Sequence, residues 1–508
     1  MFFLFIILLF GFAMRIYHVA RIPPGFFADE ASVGYNAYTI LTKGEDEGGN
    51  KFPILFQNFG TFYRPGISIY LSAPFVWAFG LNEFSLRLAA AIFGTISIVL
   101  TYGVARLLFS SRTVAVLAAF FLAISPWHIH FSRTNQDFIY FVCFLTLSTF
   151  LFLLGVKRNY TQYLVLSFFS FGLTLYTYVP AYFITPLFVL LILLIYRTTL
   201  LKMKNATVIG IAIFICMTIP LFLGLENGKT LSRFHQVSTA NQQKSSQEII
   251  QKAMVVYRDH FMPEFLFEKG DIGYHTHFIT RFSVRGMGQL YWFQLPLILA
   301  GLLYVFHHNK KNFLLIIGWL TLYPLGSTAV PFADGGGPFA TRSIIGVIPF
   351  QLVSAAGLYF TFSLVKNHLA KLLVVLLLVI IIASSFKTYL HLYFVEYPTY
   401  AADFWGWQYG SREIMHYFKD NKDNYDYLFL GTSFNAPEIF IKFYDPTNIC
   451  KNKCQVGDFD RFDTNQKQLF AFSSDHLVKT KRFNIAIKQT IYYPNGQPAF
   501  YIAELERK

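Results

Sequence analysis

Two adjacent carboxylates, Asp29 and Glu30, stand in the stretch Pro23-Pro24-Gly25-Phe26-Phe27-Ala28-Asp29-Glu30-Ala31, just after a first apolar run. Charged groups at the exit of a membrane helix are costly and call for a reason. A carboxylate in that place can act as a general base, or hold a divalent ion against a lipid phosphate. The pair also suits an ordinary helix start, where acidic residues offset the dipole. Neighbouring side chains on a helix point about 100° apart, so both need not face one site, and Asp29 is the stronger candidate.

A second cluster is Ser125-Pro126-Trp127-His128-Ile129-His130-Phe131-Ser132-Arg133, followed by Asp137. His128 and His130 are open to three readings: metal ligands, phosphate contacts, or an interfacial belt with Trp127. Arg133 suits a phosphate better, because a guanidinium fork matches phosphate oxygens. A third set is basic: Arg64, Arg87, Arg233, Arg281, Arg285 and Arg342. These arginines fit an anionic ligand, or pairing with Glu83, Asp334 or lipid headgroups. A fourth is His260-Phe261-Met262-Pro263-Glu264-Phe265-Leu266-Phe267, with His275 and His277 downstream; it reads as a loop packed back toward the membrane.

The elements that must carry these groups follow from composition. Of 508 residues 54% are hydrophobic and 14% charged, against about 25% charged in a soluble domain. The apolar residues come in uncharged runs of membrane-spanning length, each needing roughly 20 residues. The net charge of +14 is carried by short loops between those runs, so nucleic-acid binding is not expected. Eleven spans are expected, over residues 1–20, 88–105, 113–126, 138–156, two within 159–196, 205–225, 286–306, 312–333, 343–365 and 372–386. Arg15 would snorkel to the interface.

Placing the basic loops inside puts loops 21–85, 127–136, 226–285 and 334–342 outside. All four polar clusters then share one side. The first outer loop should hold interfacial helices over 29–41 and 64–79. Residues 391–508 read as a small extracytoplasmic α/β domain after a membrane module of 1–390. Its signals are a helix over 404–419, a strand over 425–430, and strands 484–493 and 499–505 flanking Pro494-Asn495-Gly496-Gln497-Pro498. Cys143 and Cys216 read as packing residues. For Cys450 and Cys454 a small-loop disulfide is open.

Pro23 to Glu30 resembles the GT-C membrane glycosyltransferases of the protein O-mannosyltransferase and aminoarabinose transferase type. Arg87 in Glu83-Phe84-Ser85-Leu86-Arg87-Leu88 is similar to their arginine at the start of the second span. Ser125 to Arg133, Pro263 to Phe267, Gly286 to Tyr291 and Pro338 to Ser343 resemble recurrent loops, so the likeness covers residues 15–415. It implies a polytopic α-helical GT-C fold and inverting transfer of a mannose-like or aminoarabinose-like sugar. The donor would be a dolichyl or undecaprenyl phosphate, and the acceptor a protein, lipid or glycan.

Asp29 and Glu30 would be catalytic, with Asp29 the acceptor-activating base or a helper of a metal. Arg64, Arg87, Arg133 and Arg342 would hold the donor phosphate. His128, His130, Asp137 and Glu264 would contact substrate or metal, and a divalent cation (Mg, Mn or Zn) would be the cofactor. The lack of a repeated lumenal domain suggests a prokaryotic, multi-pass inner-membrane member with its active site outside. The alternatives are a transporter or flippase, which usually shows intramembrane charges and inverted repeats, and a surface-polysaccharide polymerase or ligase.

Overall fold

The computed structural model describes residues 2–238, 244–271 and 279–508; His275 and His277 lie outside the described residues. Uncharged runs fold as helices because hydrocarbon leaves backbone polar groups no other partner. Among the described residues, five helices are long and apolar enough to cross a membrane: Glu83–Phe109, Asp137–Arg158, Lys204–Glu226, Ile344–Leu364 and His368–Tyr400. Shorter apolar helices cover Phe2–Ile16, Ile67–Phe79, Arg112–Ile124, Ala181–Ile195 and Gln294–His308. Helices also form over Thr161–Thr174 and Lys310–Leu322. The chain is a multi-pass membrane protein.

Local chemistry sets the ends. Asn82 caps α4 (Glu83–Phe109) by accepting from the Ser85 N–H at 3.0 Å. The long run 159–196 divides at Pro180, which precedes the helix Ala181–Ile195. The run 312–333 does not form one helix. It ends at Leu322, and Pro324, which has no N–H to donate, opens a separate turn at Leu325–Thr328. Ala329 and Val330 are thereby freed to line a cavity. Cys216 is exposed on its helix rather than packed, while Cys143 is buried.

Arg15, near the end of α1 (Phe2–Ile16), does not snorkel. It is fully buried and donates to the carbonyls of Gly11 at 2.7 Å and of Leu122 and Ala123 at 3.3 Å. The last carbonyls of a helix lack intrahelical partners, and a guanidinium satisfies several at once.

The loop 21–85 is built from α2 (Ala28–Lys43), a hairpin of β1 (Leu55–Asn58) and β2 (Phe62–Pro65), and α3 (Ile67–Phe79). Toward the C-terminus lies a five-stranded sheet in the order β4-β3-β5-β7-β6. Its strands are β3 (Tyr427–Leu430), β4 (Cys454–Val456), β5 (Gln468–Ser473), β6 (Phe483–Tyr492) and β7 (Pro498–Arg507). β3 runs parallel to β4 and β5, and β6 and β7 form the hairpin around Asn495-Gly496. The helix expected over 404–419 begins at Ser411. Cys450 and Cys454 are disulfide-bonded.

One face of this sheet packs a cluster of its own, Phe429, Phe470, Phe472, Ala503 and Leu505, and the other shares its core with the first loop. Phe26, Ala31, Val33 and Ala37 share one apolar cluster with Ile414, Phe418, Leu428, Phe443 and Ile502. Gly34 lets the helices meet: a Cβ there would lie 2.5 Å from the Phe443 ring and 2.6 Å from Leu86. The sheet therefore braces the helix that carries Asp29. Gly25 is a second contact, with φ +83° and the Trp407 carbonyl oxygen 2.5 Å from the place a Cβ would take. Gly25→Ala is expected to cost about 1–3 kcal/mol of backbone strain, seen as a lower thermal midpoint of the purified protein.

Candidate active site

Loops 21–85, 127–136, 226–285 and 334–342 all contribute to one cavity of about 160 Å³. Asp29 comes from α2, Asn58, Phe62 and Arg64 from the hairpin, and Gln136, Asp137 and Phe138 from the start of α7 (Asp137–Arg158). Tyr178 to Pro180, Arg233, Arg281, Asp334 and Arg342 close it from the later loops. Four arginines and three aspartates face one space. Arg64 pairs with Asp137 at 2.8 Å and donates to the Asp29 carbonyl at 3.3 Å. Asp137 also accepts from Ser68 at 2.6 Å. Arg342 pairs with Asp334.

Arg281 has no carboxylate partner of its own at ion-pair distance among the described residues. It donates to the Trp405 carbonyl at 2.8 Å and lies 3.8 Å over the Phe27 ring. Burial lowers its pKa to about 10, opposed by Asp29 and Asp334. Burial works against the Asp334 carboxylate, but Arg342, Arg233 and Arg281 outweigh it and hold its pKa below the usual value. Such a site keeps its positive charge and attracts a phosphate.

Several residues expected to touch substrate lie elsewhere. Glu30 is fully buried and is gripped by Arg87 through two bonds of 3.1 and 2.9 Å. It also accepts the Asn135 N–H at 2.9 Å. Arg133 donates to the carbonyls of Met14, Tyr17 and Ile22, fastening the end of α1. His128 accepts from Arg15 at 2.7 Å. His130 donates to the Arg281 carbonyl at 2.7 Å, which the Tyr397 hydroxyl also reaches at 2.6 Å. His130 thus holds the backbone of a cavity arginine. Glu264 pairs with Lys269 on the exposed surface, at 2.7 Å. None of these six lines the cavity. Adjacent carboxylates on a helix diverge, which is why Asp29 and Glu30 serve different surroundings.

The buried imidazoles give the protein a pH limit. Burial lowers the pKa of His130 and of His260 from 6.5 to about 3, and that of His128 well below 6.5. The unfolded chain takes up these protons below about pH 6.5, while the folded chain refuses them. Stability is therefore expected to fall between about pH 6.5 and 3, by roughly 1.4 kcal/mol per pH unit for each ring. Thermal midpoints across that range check this. His130→Phe is expected to flatten the slope.

The family model for dolichyl-phosphate-mannose-protein mannosyltransferases matches residues 64–222. YkcB of Bacillus subtilis, a mannosyltransferase by name, is 27% identical over 170 residues, which is 33% of this chain and 24% of YkcB. YycA of the same organism, named likewise, is 24% identical over 178 residues, 35% of this chain and 26% of YycA. The matches thus span about a quarter of these relatives. Among solved structures, ArnT from Cupriavidus metallidurans bound to undecaprenyl phosphate aligns with 99% of this chain and 97% of its own. Its TM-score is 0.57 at 12% identity. The Archaeoglobus fulgidus oligosaccharyltransferase tethered with an acceptor peptide aligns with 98% of this chain and 73% of its own, with a TM-score of 0.58 at 12% identity.

The chain has the fold of the GT-C membrane glycosyltransferases. The family-model match begins at Arg64 and includes Asp137, but not Asp29. One Archaeoglobus oligosaccharyltransferase structure, at TM-score 0.51, is a complex with Zn and sulfate. Here, among the described residues, no three His, Cys, Asp or Glu side chains come together as metal ligands. Of the three cavity aspartates, Asp137 is paired with Arg64 and Asp334 with Arg342. The residues present therefore do not form a ready set for the expected divalent ion.

Two cavity groups escaped the sequence reading. Asn58 and Gln136 are neutral amides with no motif around them, and only the folded loops bring them to Asp29.

Proposed function

We propose that this chain transfers a sugar from a polyprenyl-phosphate carrier to an acceptor on the outer face of a prokaryotic inner membrane. The observation that carries this reading is a carboxylate, Asp29, sharing one outer cavity with four arginines. An acceptor hydroxyl or amine attacks the anomeric carbon and gives its proton to Asp29. The bond from that carbon to the phosphate oxygen breaks, and the departing lipid phosphate keeps the electron pair. Arg64, Arg233, Arg281 and Arg342 stabilise that charge. Arg87 and Arg133, expected to hold the phosphate, hold the scaffold behind it instead. The ArnT neighbour binds undecaprenyl phosphate, and the matching family model is named for a dolichyl-phosphate-mannose donor. Both support this donor class. Eleven spans, with the C-terminal sheet outside, complete the proposed topology.

The test is mass spectrometry of protein, lipid and glycan fractions from cells with and without the gene. A gene-dependent shift of one sugar is expected in one fraction. Uptake of a solute by vesicles with no glycosyl product would favour a transporter instead, and a ladder of lengthening products a polymerase.

A further inference from the structure

Three residues that line the cavity, Gln136, Arg64 and Arg281, each carry a buried side-chain N–H with no partner among the described residues, at Nε2, Nε and Nε. Their side chains belong to residues only 6%, 6% and 9% exposed. A buried donor without an acceptor is costly, and three belong to residues of this one cavity. Gln136 differs in kind from the arginines. It is neutral, and its amide offers a donor and an acceptor side by side.

Its surroundings hold it still while leaving that amide unused. Gln136 precedes α7 at the capping position, yet its side chain makes no capping bond. Its own N–H goes to Thr134 at 3.0 Å. The preceding Asn135 is tied to Glu30, Ser72 and Tyr140 at 2.7–2.9 Å. A phosphate oxygen only accepts, and the charged donors for it are the arginines. A hydroxyl both gives and takes, which matches an amide. Phe138, Tyr178, Phe282 and Phe339 wall the same cavity, as aromatic faces with a few placed polar groups commonly do around small ligands.

We propose that Gln136 reads a hydroxyl of the carried sugar, while Arg64 and Arg281 direct their free N–H groups at the phosphate. This rests on the polyprenyl-phosphate-sugar reading above and makes Gln136 the specificity-determining residue for the sugar.

Two kinds of probe separate the roles: bare undecaprenyl phosphate, and undecaprenyl phosphate carrying mannose, glucose or aminoarabinose. The wild type is expected to bind the bare lipid, and at least one glycosylated lipid more tightly. Gln136→Leu and Gln136→Met keep the bulk and remove the polar end. Each is expected to weaken the preferred glycosylated lipid roughly ten- to hundredfold, with bare-lipid affinity changed less than about twofold. Retained bare-lipid binding also reports that the variant is folded. Equal weakening of both lipids, or of neither, overturns the assignment, as does a wild type that prefers none of the three sugars over the bare lipid. A wild type that binds no lipid phosphate at all overturns the donor reading itself.

Discussion

Asp29→Asn is expected to lower the initial rate of sugar transfer by roughly 10²–10⁴-fold, the range general-base help supplies. The change removes a charge and little else. Asp29 lines the cavity, and among the described residues no ion pair uses its carboxylate. Arg64 touches its main-chain carbonyl instead. The thermal midpoint and the affinity for bare undecaprenyl phosphate are therefore expected to stay near wild type. Membranes supplied with a polyprenyl-phosphate sugar give the rate, and a melt of the purified variant gives the midpoint. Unchanged transfer by a normally folded variant would remove Asp29 from the chemistry.

The second large effect concerns stability rather than rate. Arg87→Ala is expected to destabilise the protein by about 3–5 kcal/mol, the usual cost of leaving one partner of a buried ion pair uncompensated. All five N–H groups of Arg87 are engaged. Two go to Glu30, and three go to the carbonyls of Val19, Pro23 and Gly25. The guanidinium also lies 5.5 Å from the Phe26 ring and 5.7 Å from that of Trp407. It ties the loop before Asp29 to α4 and to the segment leading into the C-terminal sheet. Arg87→Lys should not rescue this, since a single ammonium cannot reproduce the planar fork.

Removing both charges, as Glu30→Leu with Arg87→Met, is expected to cost less than Arg87→Met alone, because no unpaired carboxylate remains. Melts of the three variants in lipid nanodiscs check the order. A variant at Arg87 that melts normally but no longer binds lipid phosphate would return this residue to the donor site.

Much of the architecture was legible in the chain. A long uncharged run in hydrocarbon has one stable solution, so the helices fall close to the expected runs. The turn Asn495-Gly496 between alternating segments specifies its hairpin locally, and β6 and β7 pair around it. The errors share a cause. The helix end at Leu322 and the irregular stretch before Gln294 are decided by packing between distant loops, and apolar composition cannot show it. β5, Gln468–Ser473, is buried along nearly its whole length and has no alternation to betray it.

What the sequence determined by itself is the class of fold, the loops on which polar chemistry gathers, and the presence there of acids and arginines. Those follow from local composition, because membrane solvation acts on each segment separately. Which arginine lines the cavity was decided only by tertiary structure. Arg87, Arg133 and Arg281 have the same chemistry, and all are buried near the same loops. Arg87 and Arg133 spend their donors on carbonyls and a carboxylate between 57 and 119 residues away. Arg281 lines the cavity near Asp29, which neither of the other two does. A guanidinium's role is set by what fills its five donor positions, and those partners come from parts of the chain that only folding brings together.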